Sequence, residues 1–143
     1  MKIIFKTFII LFLFANISCK AQQMVQTQDD IYKLVSNEEQ FLNKPLKNLL
    51  KEIKPEIQSA FGVKVPKGYP CYFMFSFSSS NELKQKMIEG KFTGLYVYVK
   101  EPVDEWDNGK RSQETEFEWT KKDVEKYGSF TVVKIQVIDQ TKD

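Results

Sequence analysis

Between Pro70 and Ser79 the chain alternates strictly: Cys71, Phe73, Phe75 and Phe77 take every second position, and Tyr72, Met74, Ser76 and Ser78 take those between. A period of two puts each set on its own sheet face, so the segment predicts a strand. A second strand follows, with Leu95, Val97 and Val99 on one face and Phe92, Tyr96 and Tyr98 on the other. Thr115, Phe117 and Trp119 alternate with Glu114, Glu116 and Glu118 in a third, and Val133, Ile135 and Val137 mark a last one.

Helical spacing dominates the preceding part. Ile31, Leu34, Val35, Glu38, Phe41 and Leu42 recur with a helical period, which predicts a helix over 29–43 with one polar interruption. Ser36 and Glu39 have capping-box spacing, so Ser36 is an alternative start. Pro45 suits the first turn of a second helix, whose stripe of Leu46, Leu49, Leu50 and Ile53 runs until Pro55. Gly62, Pro66, Gly68 and Pro70 punctuate a loop into the first strand. Asn81 is placed to cap a short helix carrying Leu83, Met87 and Ile88 and closed by Gly90, and Thr120 to cap another that Gly128 ends.

Asn108-Gly109 is the dipeptide of a type I′ hairpin turn, so its flanks should pair antiparallel. Simple pairing sets Val99 opposite Glu118 and Tyr98 opposite Trp119, mixing apolar with charged residues. A one-residue bulge near Pro102 repairs that register, and both registers stay open. The element order predicts an α+β fold: two N-terminal helices packed on a mostly antiparallel sheet of about four strands, with short helices between strands.

Ahead of this domain lies a different pattern. Lys2 and Lys6 precede an uncharged run over 7–19 that is 13 residues long, too short for the roughly 20 apolar residues of a membrane span. The segment reads as an export signal with two processing sites. In one, Cys19 and Ala21 are the small residues before a cut, residues 1–21 are removed and the mature chain begins at Gln22. In the other, Ile17, Ser18 and Cys19 resemble the lipobox of bacterial lipoproteins, with Asn16 standing where leucine is usual. That resemblance covers only the signal segment and implies bacterial export, with residues 1–18 removed and Cys19 lipidated. The expected location is therefore the periplasm, a lipid-anchored membrane position, or secretion. Residues 22–29 read as a flexible tether and residues 30–143 as a single domain.

Processing changes the charge. The whole chain carries +2, but losing the three lysines of residues 1–21 leaves 18 basic against 19 acidic residues, a net charge of −1. Only Arg111 is arginine, so the bidentate contacts that grip phosphate and base edges are nearly absent and no nucleic-acid partner is expected. With Cys19 cut away or acylated, Cys71 has no intrachain partner, and stability must come from an apolar core.

The chain of 143 residues contains no histidine. That excludes Ser-His-Asp and Cys-His sites and imidazole-ligated zinc. Cys71 shares a strand face with phenylalanines, where a thiol is inert. Ser78, Ser79 and Ser80 precede Lys84 and Lys86, but S-x-x-K spacing would require serine where Asn81 stands, so a strand end and helix cap are the better reading. The acidic loop of Asp104, Glu105 and Asp107 departs from a calcium loop, because Trp106 sits at a ligand position and Thr115 where the bidentate glutamate belongs.

One surplus remains. A sheet with one wet face should be mainly polar there, yet the second face of the two central strands carries Tyr72, Met74, Phe92, Tyr96 and Tyr98. Either the chain covers it, through the helix of Leu83, Met87 and Ile88 or the segment around Trp106, or a partner does. The leading expectation is an exported, non-enzymatic domain that binds a protein or envelope component through Tyr72, Met74, Tyr96, Tyr98 and Trp119. No cofactor or metal is implied by it. The alternative is a carboxylate-based hydrolase or calcium-dependent module using Glu114, Glu116 and Glu118, and a third is a purely structural envelope protein.

Overall fold

A computed structural model describes residues 21–104, 106 and 111–142. The expected export signal with its Cys19, the acidic residues Glu105 and Asp107, and the hairpin turn expected at Asn108-Gly109 lie outside the described residues. Strands β1 (Ser59–Val63), β2 (Cys71–Ser76), β3 (Thr93–Val99) and β4 (Val132–Asp139) form one antiparallel sheet in the order β1-β2-β3-β4. Helices α1 (Tyr32–Ser36) and α2 (Leu46–Leu50) precede it, α3 (Ser80–Ile88) links β2 to β3, and α4 (Lys121–Tyr127) precedes β4. The chain thus has the α+β class that its patterning predicts. None of the helices among the described residues is long and apolar enough to cross a membrane.

The two alternating segments behave as their period requires. Cys71, Phe73 and Phe75 pair with Val99, Val97 and Leu95, and all six are buried on the inner face. Ile135 of β4 and the helical residues Leu34, Leu46, Leu49 and Tyr127 complete that core. Aromatic rings fill its centre: Phe73 lies 5.0 Å from Tyr127, Phe75 lies 5.0 Å from Trp119, and Trp106 stacks on Trp119 at 6.1 Å.

Three departures from the sequence expectation reshape the layers around the sheet. The first is β1, where punctuation predicted a loop. Its core-facing residues are Ala60 and Gly62, too small to register in a hydrophobic pattern. Their size is required: a Cβ on Gly62 would lie 2.8 Å from Val103 Cγ1 and 2.9 Å from Trp106 Cγ. Glycine here admits the indole to the core.

The second is the segment around Glu114, Glu116 and Glu118, which forms turns rather than a strand. Thr115 N–H donates to Ser112 O, Glu118 N–H donates to Thr115 O, and the Ser112 and Thr115 hydroxyls bond each other at 2.8 Å. Such local bonding satisfies the backbone without a ladder partner. Its backbone meets the sheet at one isolated bridge on the β1 edge, Ser59 to Glu118, flanked by Ala60 N–H donating to Phe117 O, and β4 rather than this segment pairs with β3. The register irregularity falls at Tyr98/Val99, against β4.

The third is the predicted helix over 29–43, which breaks into a 3-10 turn (Gln28–Ile31), α1 and a second 3-10 turn (Glu38–Gln40). Ser36 Oγ donates to Tyr32 O and Asn37 Nδ2 to Lys33 O, so side chains take up the helical carbonyls. Glu38, the polar interruption, reaches across to accept the Ile135 amide at 2.6 Å and closes part of the β4 edge.

Capping boxes start α3 and α4. Thr120 caps α4 as predicted, with Asp123 returning the bond. On α3 the cap is Ser79, two residues before Asn81: Ser79 Oγ accepts from Glu82 N–H while Ser79 N–H donates to Glu82 Oε2.

Candidate functional site

The outer face of the sheet is ordered by register. Tyr72, Tyr98 and Lys134 lie across β2, β3 and β4 in one row, and Met74, Tyr96 and Gln136 in the next. Side chains in such rows touch. The Tyr72 ring lies 5.2 Å from Tyr98 and 5.6 Å from Tyr96, Lys134 Nζ sits 5.2 Å over the Tyr98 ring, and the Tyr98 hydroxyl donates to Gln136 Oε1 at 3.4 Å. Burial pushes the Tyr96 phenol above its ordinary 10.0, with the neighbouring Tyr72 and Tyr98 adding to the shift.

Helix α3 covers only one end of this face. Leu83 is 1 % exposed and packs with Met74 and Phe92, with Tyr96 against their margin. Gly94 makes room: a Cβ there would lie 2.2 Å from Phe92 Cζ, so its absence lets that ring fold back onto the sheet. Met87 and Ile88 turn outward, Ile88 to 80 % exposure, and Trp106 belongs to the inner face. Tyr72, Tyr96 and Tyr98 therefore stay half-buried with no layer of the described chain closed over them.

Of the five residues expected to make contacts, the structure brings these three tyrosines together. Met74 is 4 % exposed beneath Leu83. Trp119 belongs to the opposite layer, among Phe73, Phe75, Trp106 and Tyr127: its segment bonds along the β1 edge, where Phe117 meets Phe61 on the outer side and Trp119 enters the core.

The carboxylates of the alternative do not form the expected row. Glu116 is ion-paired with Lys84 at 2.7 Å, and Asp104 with Lys64 at 2.7 Å. Glu114 and Glu118 face an open cleft beside Glu56, and no cluster of carboxylates or thiols among the described residues has the geometry to hold a metal ion. Cys71 is buried against the aromatic core.

Sequence spacing missed one grouping. A cavity of about 300 Å³ opens where β2 runs into α3 and β3 begins, and its lining includes Tyr32, Ser78, Lys86, Lys91, Asp139 and Lys142. Lys86 Nζ donates to Ser78 Oγ at 2.7 Å, the pairing that S-x-x-K spacing did not foresee. Ser-Lys catalysis needs a desolvated lysine, and Lys86 is exposed. Asp139 accepts from Thr141 Oγ1 and N–H, Tyr32 OH and Thr93 Oγ1, which together hold its carboxyl far below the usual range. These residues come from three separate stretches of chain, around 32, 78–93 and 139–142, so no local motif signals them.

Comparison of the chain with protein-family models, with curated proteins and with solved structures found no match.

Proposed function

We propose that this chain is an exported, non-enzymatic binding domain whose partner is a protein that docks on the outer sheet face. The observation that carries the reading is the cluster of Tyr72, Tyr96 and Tyr98, in mutual ring contact and half-buried on the part of the face that α3 leaves open. Tyrosine supplies a large contact area at small entropic cost and keeps a hydroxyl for hydrogen bonding, which is why it recurs at protein interfaces. Lys134 and Gln136 supply a polar border on one side.

A protein suits this face better than a glycan. The Tyr72 ring tilts by 39° to Tyr96 and by 45° to Tyr98, so the three make no flat platform for a sugar. Chemistry at the site has no support, since the sequence lacks histidine and the face carries only phenols, an amide and an ammonium.

Export rests on the lysine-flanked apolar run and its small-residue end. Intact-mass measurement of the chain from cells should show residues 1–18 or 1–21 removed, with acyl mass on Cys19 in the first case; a chain still beginning at Met1 overturns export. For the face itself, a photo-crosslinking residue placed at Tyr98 should trap a discrete protein in intact cells, and Tyr72→Ala should abolish the adduct. The same crosslinker placed at exposed Lys122 should not trap that protein. Equal trapping from both positions, or saturation of the tyrosines by envelope polysaccharide instead, refutes the protein reading.

A further inference from the structure

The cavity at the sheet end does not belong to the tyrosine face, and its chemistry points elsewhere. Its cations come from separate places: Lys86 from the last turn of α3, Lys91 from the connection into β3, and Lys142 from the C-terminal 3-10 turn (Gln140–Lys142). Two carboxylates also line it, Asp139 and Asp29. Asp139 is taken up by the Tyr32, Thr93 and Thr141 hydroxyls and is paired with Lys142, whose Nζ lies 3.4 Å from it and donates to Tyr32 OH at 3.1 Å. Lys91 is exposed and paired with Glu89 at 3.1 Å.

Lys86 differs from both neighbours. It donates to a neutral hydroxyl, Ser78 Oγ at 2.7 Å, and feels the Glu82 carboxylate one turn earlier only through space, and an ammonium has three protons to donate. Ser78, 8 % exposed, accepts from Lys86 and so keeps its own proton for an acceptor in the cavity. Ile31, Phe77 and Phe92 line the same space and give it an apolar wall. A volume of about 300 Å³ is at the small end of ligand sites.

We propose that this cavity binds a small phosphate monoester, its phosphate between Lys86, Ser78 and Lys142 and its apolar or aromatic body against Phe77 and Phe92. Lysines act as movable point charges that suit a compact dianion, whereas a planar carboxylate is best met by the arginine fork, which the cavity lacks. Asp139 and Asp29 both oppose the anion; the first is neutralised by Lys142, and the second makes its charge a test.

Phenyl phosphate titrated into the full chain at low salt, followed calorimetrically and by amide NMR, should bind saturably with a Kd of about 1 mM or tighter. The shifts should centre on residues 76–78, 86 and 139–142. Lys86→Gln and Lys142→Gln should each weaken binding about tenfold, as expected for loss of one charge-assisted contact worth roughly 1.4 kcal/mol. Asp29→Asn should strengthen it, and Lys122→Gln, which removes the same charge elsewhere, should leave it unchanged. Circular dichroism of each variant separates lost binding from lost fold, and two lysines on different elements keep the test open if one variant unfolds. Absence of saturable binding, equal affinity for benzoate, or equal weakening by Lys122→Gln overturns the proposal. None of these results depends on the tyrosine face.

Discussion

Replacing Leu83 by alanine tests how α3 is held to the sheet, and therefore how much of the outer face the chain covers for itself. Leu83 is 1 % exposed and is the only side chain of α3 in the small cluster with Met74 and Phe92. Removing its three terminal carbons loses about 2.4 kcal/mol of transfer free energy at roughly 0.8 kcal/mol per carbon. A cavity term adds to this where the surroundings stay rigid, and Leu→Ala changes span about 2–5 kcal/mol. This cluster is a thin layer under a nine-residue helix that can settle toward the sheet, so the loss should fall near the low end, about 2.5 kcal/mol. Urea unfolding followed by tryptophan fluorescence measures it, with Ile88→Ala, at an 80 % exposed position on the same helix, as the control expected to change stability by less than about 0.5 kcal/mol. Leu83→Ala should also raise the exposure of Met74 and Phe92, read as increased binding of a hydrophobic dye. A loss below about 1 kcal/mol, or one equal to that of Ile88→Ala, would show that α3 is not anchored through Leu83 and that the boundary of the open face is misplaced.

Three further outcomes follow from the same contacts. Gly62→Ala should destabilise by about 1–3 kcal/mol in urea unfolding, because the added methyl meets Val103 and Trp106 inside 3 Å and neither is free to leave the core. Glu38→Ala should cost about 1.5 kcal/mol and speed hydrogen exchange at the Ile135 amide, which loses a charged acceptor at 2.6 Å. The raised Tyr96 phenol favours the neutral form in the folded state, so its contribution is intact below pH 10 and is lost as pH rises through the folded value; Tyr96→Phe should flatten the alkaline fall in stability and remove one phenol that titrates above 10 from an ultraviolet titration.

Strands β2 and β3 were legible because both faces carry large side chains, and a period of two is unmistakable when phenylalanine, valine and tyrosine mark it. The cap of α4 was legible because Thr120 and Asp123 act within one turn. Strand β1 was hidden because its core positions are Ala60 and Gly62, whose value lies in the space they leave for Trp106. The glutamate-bearing segment misled in the opposite direction: its alternation is real, but Ser112 and Thr115 close a turn within it, and Trp119 leaves it for the core.

Local patterning was sufficient for the α+β class, the two central strands, the greasy reverse of the sheet and the absence of histidine chemistry, because each depends on residue type at short spacing. Which aromatics remain open was a tertiary matter. Met74 and Tyr96 are nearest neighbours in one row, yet Leu83 closes over the first and stops at the second. Burial is set by what packs above a side chain, and that atom comes from a helix whose docking no period in the sequence encodes. The lysine-lined cavity has the same origin, since residues 32, 78, 86, 91, 139 and 142 become neighbours only when the ends of three strands are brought together.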